Sequence, residues 1–564
     1  MGDLNCDILK SPCESHTRKL QFLSSLYQFD QLIDEPTRIT GTSATLIDLI
    51  LTNKEENISK SGVIHLGLSD HSMIFAIRKH CIPKSREKVK HIRNFKNFNA
   101  NDFLTDLSQM PWENIAQHDN SNVCWQVWKS LYLQVLDRHA PLRRMRTRGN
   151  SLPWISSDIK GIMRSRDFHK IKAVRHNSQS HWTKYKELRN KVNAELIKAK
   201  RNYFCNKIED CAQSKDIKQS WNLINHLMGK NVKSNTISQL KTDNSVISDD
   251  KLKSEAFNDF FVNIGAKLAA EIEDNSLNTN SFARGDSRPT TDSNLFFKFS
   301  EINEDEVIYQ LRSLKISKST GLDNIPAKAL KISADIVGPP LTWIFNLSIK
   351  KGEYVDEWKK AWVTPIYKSD DRLKCENYRP ISILPIVSKI LERCVFNQIY
   401  KFLNDNSLLS KHQHGFRPKH STLTALTQVC DTLYENMDNG QLSGIVFLDI
   451  RKAFDSIDHN ILLHKLKDQF GISDIELRWF ESYLNNREQV CIVNNSMSSS
   501  KRIVSGVPQG SILGPLLFLL YINDLPECLQ KTTPYLYADD TQICCSSNSL
   551  IELTENLNHD LSRI

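Results

Sequence analysis

The chain has 564 residues, enough for two to four domains each with its own core. Hydrophobic residues make up 40% and charged residues 25%, which is ordinary for globular protein and excludes a disordered or fibrous chain. The net charge of +9 leans toward a polyanionic partner. Thirteen cysteines, odd in number and without CxxC pairs, argue for reduced thiols in an intracellular setting, nucleus or cytoplasm unresolved, and against a disulfide framework or zinc knuckle. No apolar leader opens the chain, and its most apolar run, ILGPLLFLLYI at 512–522, is far shorter than the roughly 20 residues of a membrane span. That run predicts a buried helix, and no membrane partner is expected.

Residues 1–80 form a first compositional unit. GDLN at 2–5, TLIDLILTN at 45–53 and LSDH at 68–71 are strand-like runs ending in polar side chains. They present Asp3, Asn5, Asp48, Asp70 and His71 at strand ends, where such groups bind a metal, position a phosphate or act as general base. Residues 81–273 read as a helical, basic connector. Within 143–201 there are 17 Lys/Arg against four acids, and Trp182, Tyr185, Leu188, Val192, Leu196, Ala199 and Tyr203 recur every three or four residues. This predicts an amphipathic helix with a basic face, suited to an RNA or DNA backbone. Two further helices are expected around 221–224 and 252–272, the second with Leu252, Phe257, Phe260, Phe261, Ile264 and Leu268 on one face. Asn, Ser, Thr and Asp crowd 274–295, which reads as a flexible linker.

From 296 onward the pattern changes. A helix over 301–314 has acids in its first turn. WVTPIYK at 362–368 reads as a strand ending in the cation Lys368, and NYRPISIL at 377–384 carries Arg379. A helix marked by Val387, Leu391, Val395, Ile399 and Phe402 leads to QHGFRPKHST at 413–422, where Gly415 permits a tight turn and Arg417 and Lys419 are candidates for template phosphate. The strand SGIVFLD ends at Asp449, and the glycine-flanked turns of SGVPQGS at 505–511 hold Gln509. YLYADDTQICC at 535–545 reads as two short strands with Asp539 and Asp540 at the turn between them. Adjacent carboxylates repel unless a cation neutralises them. If the two acid-bearing strands are neighbours, Asp449, Asp539 and Asp540 form a set able to hold two magnesium ions, which in such sites lie roughly 3.5–4 Å apart. A last amphipathic helix is expected over 549–564, with Leu550, Leu553, Leu557 and Leu561 on one face.

FLDIRKAFDSIDH, SGVPQGSILGPLLF and YADD, in this order, resemble the palm of reverse transcriptases of LINE-type (non-LTR) retrotransposons. GDLN, IDLILTN and SDH resemble the C-terminal half of the apurinic-endonuclease-like nucleases that precede such enzymes. The resemblance implies an α+β chain: a truncated right-hand polymerase with fingers and palm but no thumb over 296–564, preceded by the helical basic region and a partial α/β sandwich nuclease. It implies an RNA-directed DNA polymerase acting on an RNA template, a DNA primer or target and dNTPs. Two Mg²⁺ ions, with Mn²⁺ as the alternative, would sit on Asp449, Asp539 and Asp540. By the same resemblance Lys368 and Arg379 hold the triphosphate, Phe454 gates the ribose 2′-hydroxyl, and Gln509 contacts nucleotide or template. Asp3 and Asn5 would bind phosphate or the attacking water, with Asp48 orienting His71 and Asp70 as a metal or polarising ligand. Asp455 and Asp458 read as structural. The family's upstream metal-binding glutamate and its thumb have no counterpart in the sequence, so nuclease activity is not expected and polymerase activity is expected to be weak. The alternative is a catalytically silent RNA-binding remnant.

Overall fold

The computed structural model describes residues 1–40, 43–65, 70–79, 88–147, 152–176, 178–214, 217–228, 237–242, 245–276 and 295–564. The chain divides into two compact units, Met1–Glu87 and Lys88–Ile564.

In the first unit, β1 (Gly2–Asp3) precedes helix α1 (Ser15–Leu26) and pairs antiparallel with β2 (Asp48–Leu49). A longer antiparallel pair, β3 (Ile58–Ile64) with β4 (Met73–Arg78), supplies Val63, Ile74 and Ala76 to a small core around Ile33, Leu46, Leu49 and Ile50. The remaining strands are two residues long, so side-chain packing rather than long backbone ladders holds this unit.

The second unit is mixed helix and sheet. Helices α2 (Ala100–Ser108) and α3 (Ser121–His139) bury Phe103, Trp125, Trp128 and Tyr132 in the same core as Phe345, Trp358, Leu391 and Phe518. Trp125 Nε1 donates to Glu357 at 2.7 Å, and Tyr132 Oη lies 3.3 Å from Ser333 Oγ. Residues near 100–140 are therefore integral to the body that carries the FLDIRKAFDSIDH, SGVPQGS and YADD motifs. Each of these helices starts at an asparagine, Asn99 or Asn120, whose side chain accepts from the free backbone N–H groups of the first turn.

The basic stretch folds as two helices, α4 (Ser157–His176) and α5 (Gln179–Ser214), which pack on one another. Ile159, Ala173, Val192 and Phe204 are buried there, while Lys186, Arg189 and Lys191 face solvent. After α6 (Ile217–Leu227), helix α7 (Asp250–Ser276) buries Phe257, Phe261, Ile264 and Leu268 but leaves Leu252 exposed. Helix α7 packs against strands that come much later in the sequence. Most of the linker expected over 274–295 lies outside the described residues.

Two sheets build the site. The first holds β5 (Lys360–Tyr367) and β6 (Tyr378–Ile383) as an antiparallel pair, with β7 (Arg487–Val493) parallel to β5. The second is three-stranded: β8 (Leu442–Asp449), then β10 (Asp540–Ser547) in the centre, then β9 (Thr533–Tyr537). Helix α8 (Ile386–Asp405), helix α9 (Thr422–Asp438) and helix α10 (Leu513–Tyr521) surround them. Most of the apolar run at 512–522 is, as its composition predicts, a largely buried helix, and Glu392 of α8 caps its start by accepting from Ile512 N and Leu513 N. The C-terminal helix α11 (Leu550–Leu561) buries Leu553, but Leu550 is 66% exposed, so the expected four-leucine face is only partly covered.

Candidate active site in the second unit

Strands β8 and β10 pair antiparallel in a register that sets Asp449 directly opposite Asp540. Directly opposed residues in such a ladder have Cα atoms about 4.5–5.5 Å apart and side chains on the same face. Tyr537 of β9 pairs with the same Asp540, so the connection is the two-residue turn Ala538-Asp539, with Ala538 at φ +57°. The three acids, 90 residues apart in sequence, are thus gathered at one sheet end, as the strand reading anticipates. Asp449 and Asp540 are exposed and Asp539 half-buried.

A cleft of about 540 Å³ opens beside them, lined by Asp449, Asp539, Lys368, Arg379, Phe454 and Gln509 among others. Asp540 is not among its lining residues. Lys368 follows the end of β5 and Arg379 lies on β6, one strand over, because Ile366 and Arg379 are register partners. Both cations are exposed, and among the described residues neither side chain has a hydrogen-bond or ion-pair partner. Phe454 stacks on Phe518 of α10 at 4.9 Å and meets Phe416 edge-on at 6.0 Å, so it is a core residue and a wall of the cleft at once. Gly506 and Gly510 have φ +80° and +130°; a Cβ on the first would lie 2.8 Å from Asp455 Cα and on the second 2.5 Å from Ser382 O. Only glycine fits these approaches, and they bring Gln509 to the cleft.

The donor set suits hard divalent cations. Three carboxylates converge, and among the described residues no cation or hydrogen-bond donor is paired with them. Their oxygens do not all fall within 4.8 Å of one another, the spacing met among the described residues by Asp3, Asp48 and His71.

Several cleft residues were given no part in the site by sequence, Asp455 among them, which reads there as structural. Lys452 donates to the carbonyls of Glu376 and Tyr378 at 2.8 and 3.1 Å. Its ammonium is pushed below its ordinary pKa, first by burial and then by the charges of Lys368 and Arg379. Asp455 also lines the cleft and accepts from Gln509 Nε2 at 2.9 Å; burial pushes its carboxyl up to about 6. Its place next to Phe454 in FDSIDH was the available signal. Asp458, by contrast, is structural: it caps the helix at His459–Asp468 through Asn460 N and Ile461 N. Phe260 and Ile264 of α7 complete the cleft wall, a contribution that the helix's distance in sequence conceals. Arg417, a candidate for template phosphate, donates instead to the carbonyls of Ser410 and Gln413.

In the first unit the β1–β2 pairing sets Asp3 opposite Asp48, and His71 Nδ1 lies 3.0 Å from Asp48 Oδ2. Three of the five nuclease-like residues therefore converge. Asn5 is exposed at φ +50°, its backbone N–H on Asp3, and Asp70 is ion-paired with Arg38 at 2.8 Å rather than joined to the cluster.

Residues 366–563 match the family model for reverse transcriptase (RNA-dependent DNA polymerase). A probable RNA-directed DNA polymerase from transposon BS of Drosophila melanogaster is 32% identical over 274 residues, 47% of this chain and 30% of that protein. RNA-directed DNA polymerase from mobile element jockey of the same species is 32% identical over 266 residues, 46% of this chain and 29% of that protein. The corresponding probable polymerase from transposon X-element is 31% identical over 252 residues, 44% and 27% of the two lengths. The chain thus spans less than a third of the length of these relatives. Over residues 366–563 the chain is thus similar to the reverse transcriptase family and to the RNA-directed DNA polymerases of these mobile elements.

Proposed function

We propose that the chain carries the fingers and palm of an RNA-directed DNA polymerase, which extends a DNA primer on an RNA template with dNTPs. The observation that carries this reading is one cleft lined both by the acids Asp449 and Asp539 and by the cations Lys368 and Arg379, none of them paired among the described residues. In the reaction the primer 3′-hydroxyl attacks the α-phosphate in line and pyrophosphate leaves. Asp449, Asp539 and Asp540 would hold two Mg²⁺ ions, or Mn²⁺, which when bound would lower the hydroxyl's pKa and supply a counter-charge for the leaving group. Lys368 and Arg379 bind the triphosphate and meet the charge that spreads over its oxygens. Phe454, pinned by Phe518, closes the space that a ribose 2′-hydroxyl needs.

The first unit is read as part of a nuclease-like domain in which Asp3, Asp48 and His71 form a phosphate- or cation-binding group. The α4–α5 hairpin supplies an exposed basic face for nucleic acid. An intracellular setting agrees with the cysteines, all free among the described residues.

Primer extension on poly(rA)/oligo(dT) tests the polymerase reading. Incorporation of dTTP, rejection of UTP and loss of synthesis in Asp539→Asn are expected. RNA binding without any extension would favour the silent remnant, and equal use of UTP would point to an RNA-copying RNA polymerase.

A further inference from the structure

The turn that carries Asp539 is held by a single side chain from a segment more than a hundred residues away. Gln413 is only 4% exposed. Its Oε1 accepts from Ala538 N at 2.9 Å and from Gly415 N at 2.7 Å, while its Nε2 donates to Ala538 O at 3.3 Å. The partners fix the amide's orientation, since two N–H groups need the oxygen and one carbonyl needs the nitrogen. Both backbone groups of Ala538 are therefore satisfied by one carboxamide.

Ala538 is the residue that needs such support. At φ +57° it is left-handed, a conformation that costs an L-residue about 1 kcal/mol or more and persists where the surroundings over-determine it. The surroundings do so on three sides. Residues 412–414 run alongside β9, with His414 N on Leu536 O at 2.9 Å and Leu536 N on His412 O at 3.0 Å. A Cβ on Gly415 would lie 2.1 Å from Ala538 N, so the segment touches the turn with no space between. Arg417 Nη1, on the carbonyls of Ser410 and Gln413, locks the segment itself.

We propose that Gln413 is a positioning residue for the acidic turn: by holding Ala538 left-handed it aims Asp539 into the cleft beside Asp449. This rests on the reading of the acids as a divalent-cation site. Gln413's side-chain hydrogen bonds go to the backbone of Ala538 and Gly415, so it would act through the turn.

Mn²⁺ binding followed by electron paramagnetic resonance on the full chain tests the assignment, with Asp48→Asn in every variant to remove the first unit's acid cluster. Two near-isosteres separate hydrogen bonding from shape. Gln413→Met keeps the volume and loses all three hydrogen bonds; Gln413→Glu keeps the two that Oε1 accepts. The expected result is a Mn²⁺ affinity at least tenfold weaker in Gln413→Met, measured where its lowered Tm still leaves it fully folded, with Gln413→Glu closer to wild type. Equal affinity in Gln413→Met and wild type overturns the proposal. So does equal weakening in both variants, which would mean that the site needs the neutral amide and not the held turn. If Gln413→Met does not fold, Gln413→Glu decides: affinity as poor as in Asp539→Asn overturns the proposal, and retained affinity supports it. Wild-type protein that binds no Mn²⁺ refutes the underlying cation-site reading and the proposal falls with it, an outcome distinct from binding that ignores Gln413.

Discussion

Gly415→Ala gives the most quantitative consequence of the architecture. The added Cβ would lie 2.1 Å from Ala538 N, 2.8 Å from its Cα and 2.9 Å from its Cβ. Ordinary contact between such atoms begins near 3.4 Å, so the acidic turn or the Gly415 segment must retreat by about 1 Å. The obstacle is backbone, which cannot swing aside as a side-chain tip does. Productive two-metal geometry tolerates about 0.5 Å of error, and a misplacement of 1 Å costs roughly 100-fold in rate. The expected loss in kcat for dTTP incorporation is therefore about 100-fold, or about 2.7 kcal/mol of transition-state stabilisation. The KM for dTTP should change little, because Lys368 and Arg379 stand on a different sheet. Circular dichroism and thermal melting establish that the variant is folded. A folded Gly415→Ala chain with wild-type kcat would show that the turn's position is not what the close approach dictates.

Three further outcomes follow from groups outside the acid set. Asp560 is buried and accepts from Gln530 N, Lys531 N, Thr532 N and Thr532 Oγ1, which hold its carboxyl well below the ordinary carboxylate range. Its stabilisation is fully present above the ordinary carboxylate pKa and is lost as pH falls through it toward the depressed folded value; Asp560→Ala should cost on the order of 3 kcal/mol at pH 7 and flatten the melting curve against acid. Asp323 is the opposite case: buried, with Oδ2 unpartnered, its carboxyl is pushed up to about 7. The folded state holds that proton more tightly than the unfolded one, so Asp323 should lower wild-type stability between about pH 4 and 7, by on the order of 4 kcal/mol at most, and Asp323→Asn should make the fall in Tm across that range shallower, leaving the part due to the raised Asp455 carboxyl. Charge reversal of the exposed Lys186, Arg189 and Lys191 on α5 should weaken RNA binding and reduce the slope of log K against log salt by about 0.7 per residue; an unchanged slope in filter binding would remove the hairpin from the RNA path.

What the sequence disclosed depended on how local the cause was. The strand ending at Asp449, the hairpin around Asp539 and the buried helix at 513–521 follow from alternation, turn residues and unbroken apolarity, all visible within a dozen residues. Helices α5 and α7 were legible from apolar spacing, but not that α7 would wall the cleft, since its partners lie more than 90 residues downstream. The same distance hid Gln413, whose three hydrogen bonds are invisible in QHGFR, and the tryptophans of α3, which share a core with Phe345 and Trp358. Asp70 illustrates the limit of motif order: it sits beside His71 in SDH, yet the geometry of the bridge between Arg38 and His71 turns it onto Arg38. Leu550 fits the apolar period of α11 but lies in its first turn, beyond the sheet that covers Leu553.

The gathering of Asp449, Asp539 and Asp540 into one cation-holding unit is tested most directly by the Mg²⁺ dependence of dTTP incorporation in the three single Asp→Asn variants and their pairs. Residues that hold the same ions are strongly non-additive. Asp449→Asn and Asp539→Asn are each expected to lower kcat by about three orders of magnitude or more, with Asp540→Asn less severe because it stands outside the cleft lining, and the double variants are expected to be no worse than the poorer single. Losses that multiply in the double variants, or synthesis that persists in Asp449→Asn at the wild-type Mg²⁺ requirement, would contradict the account.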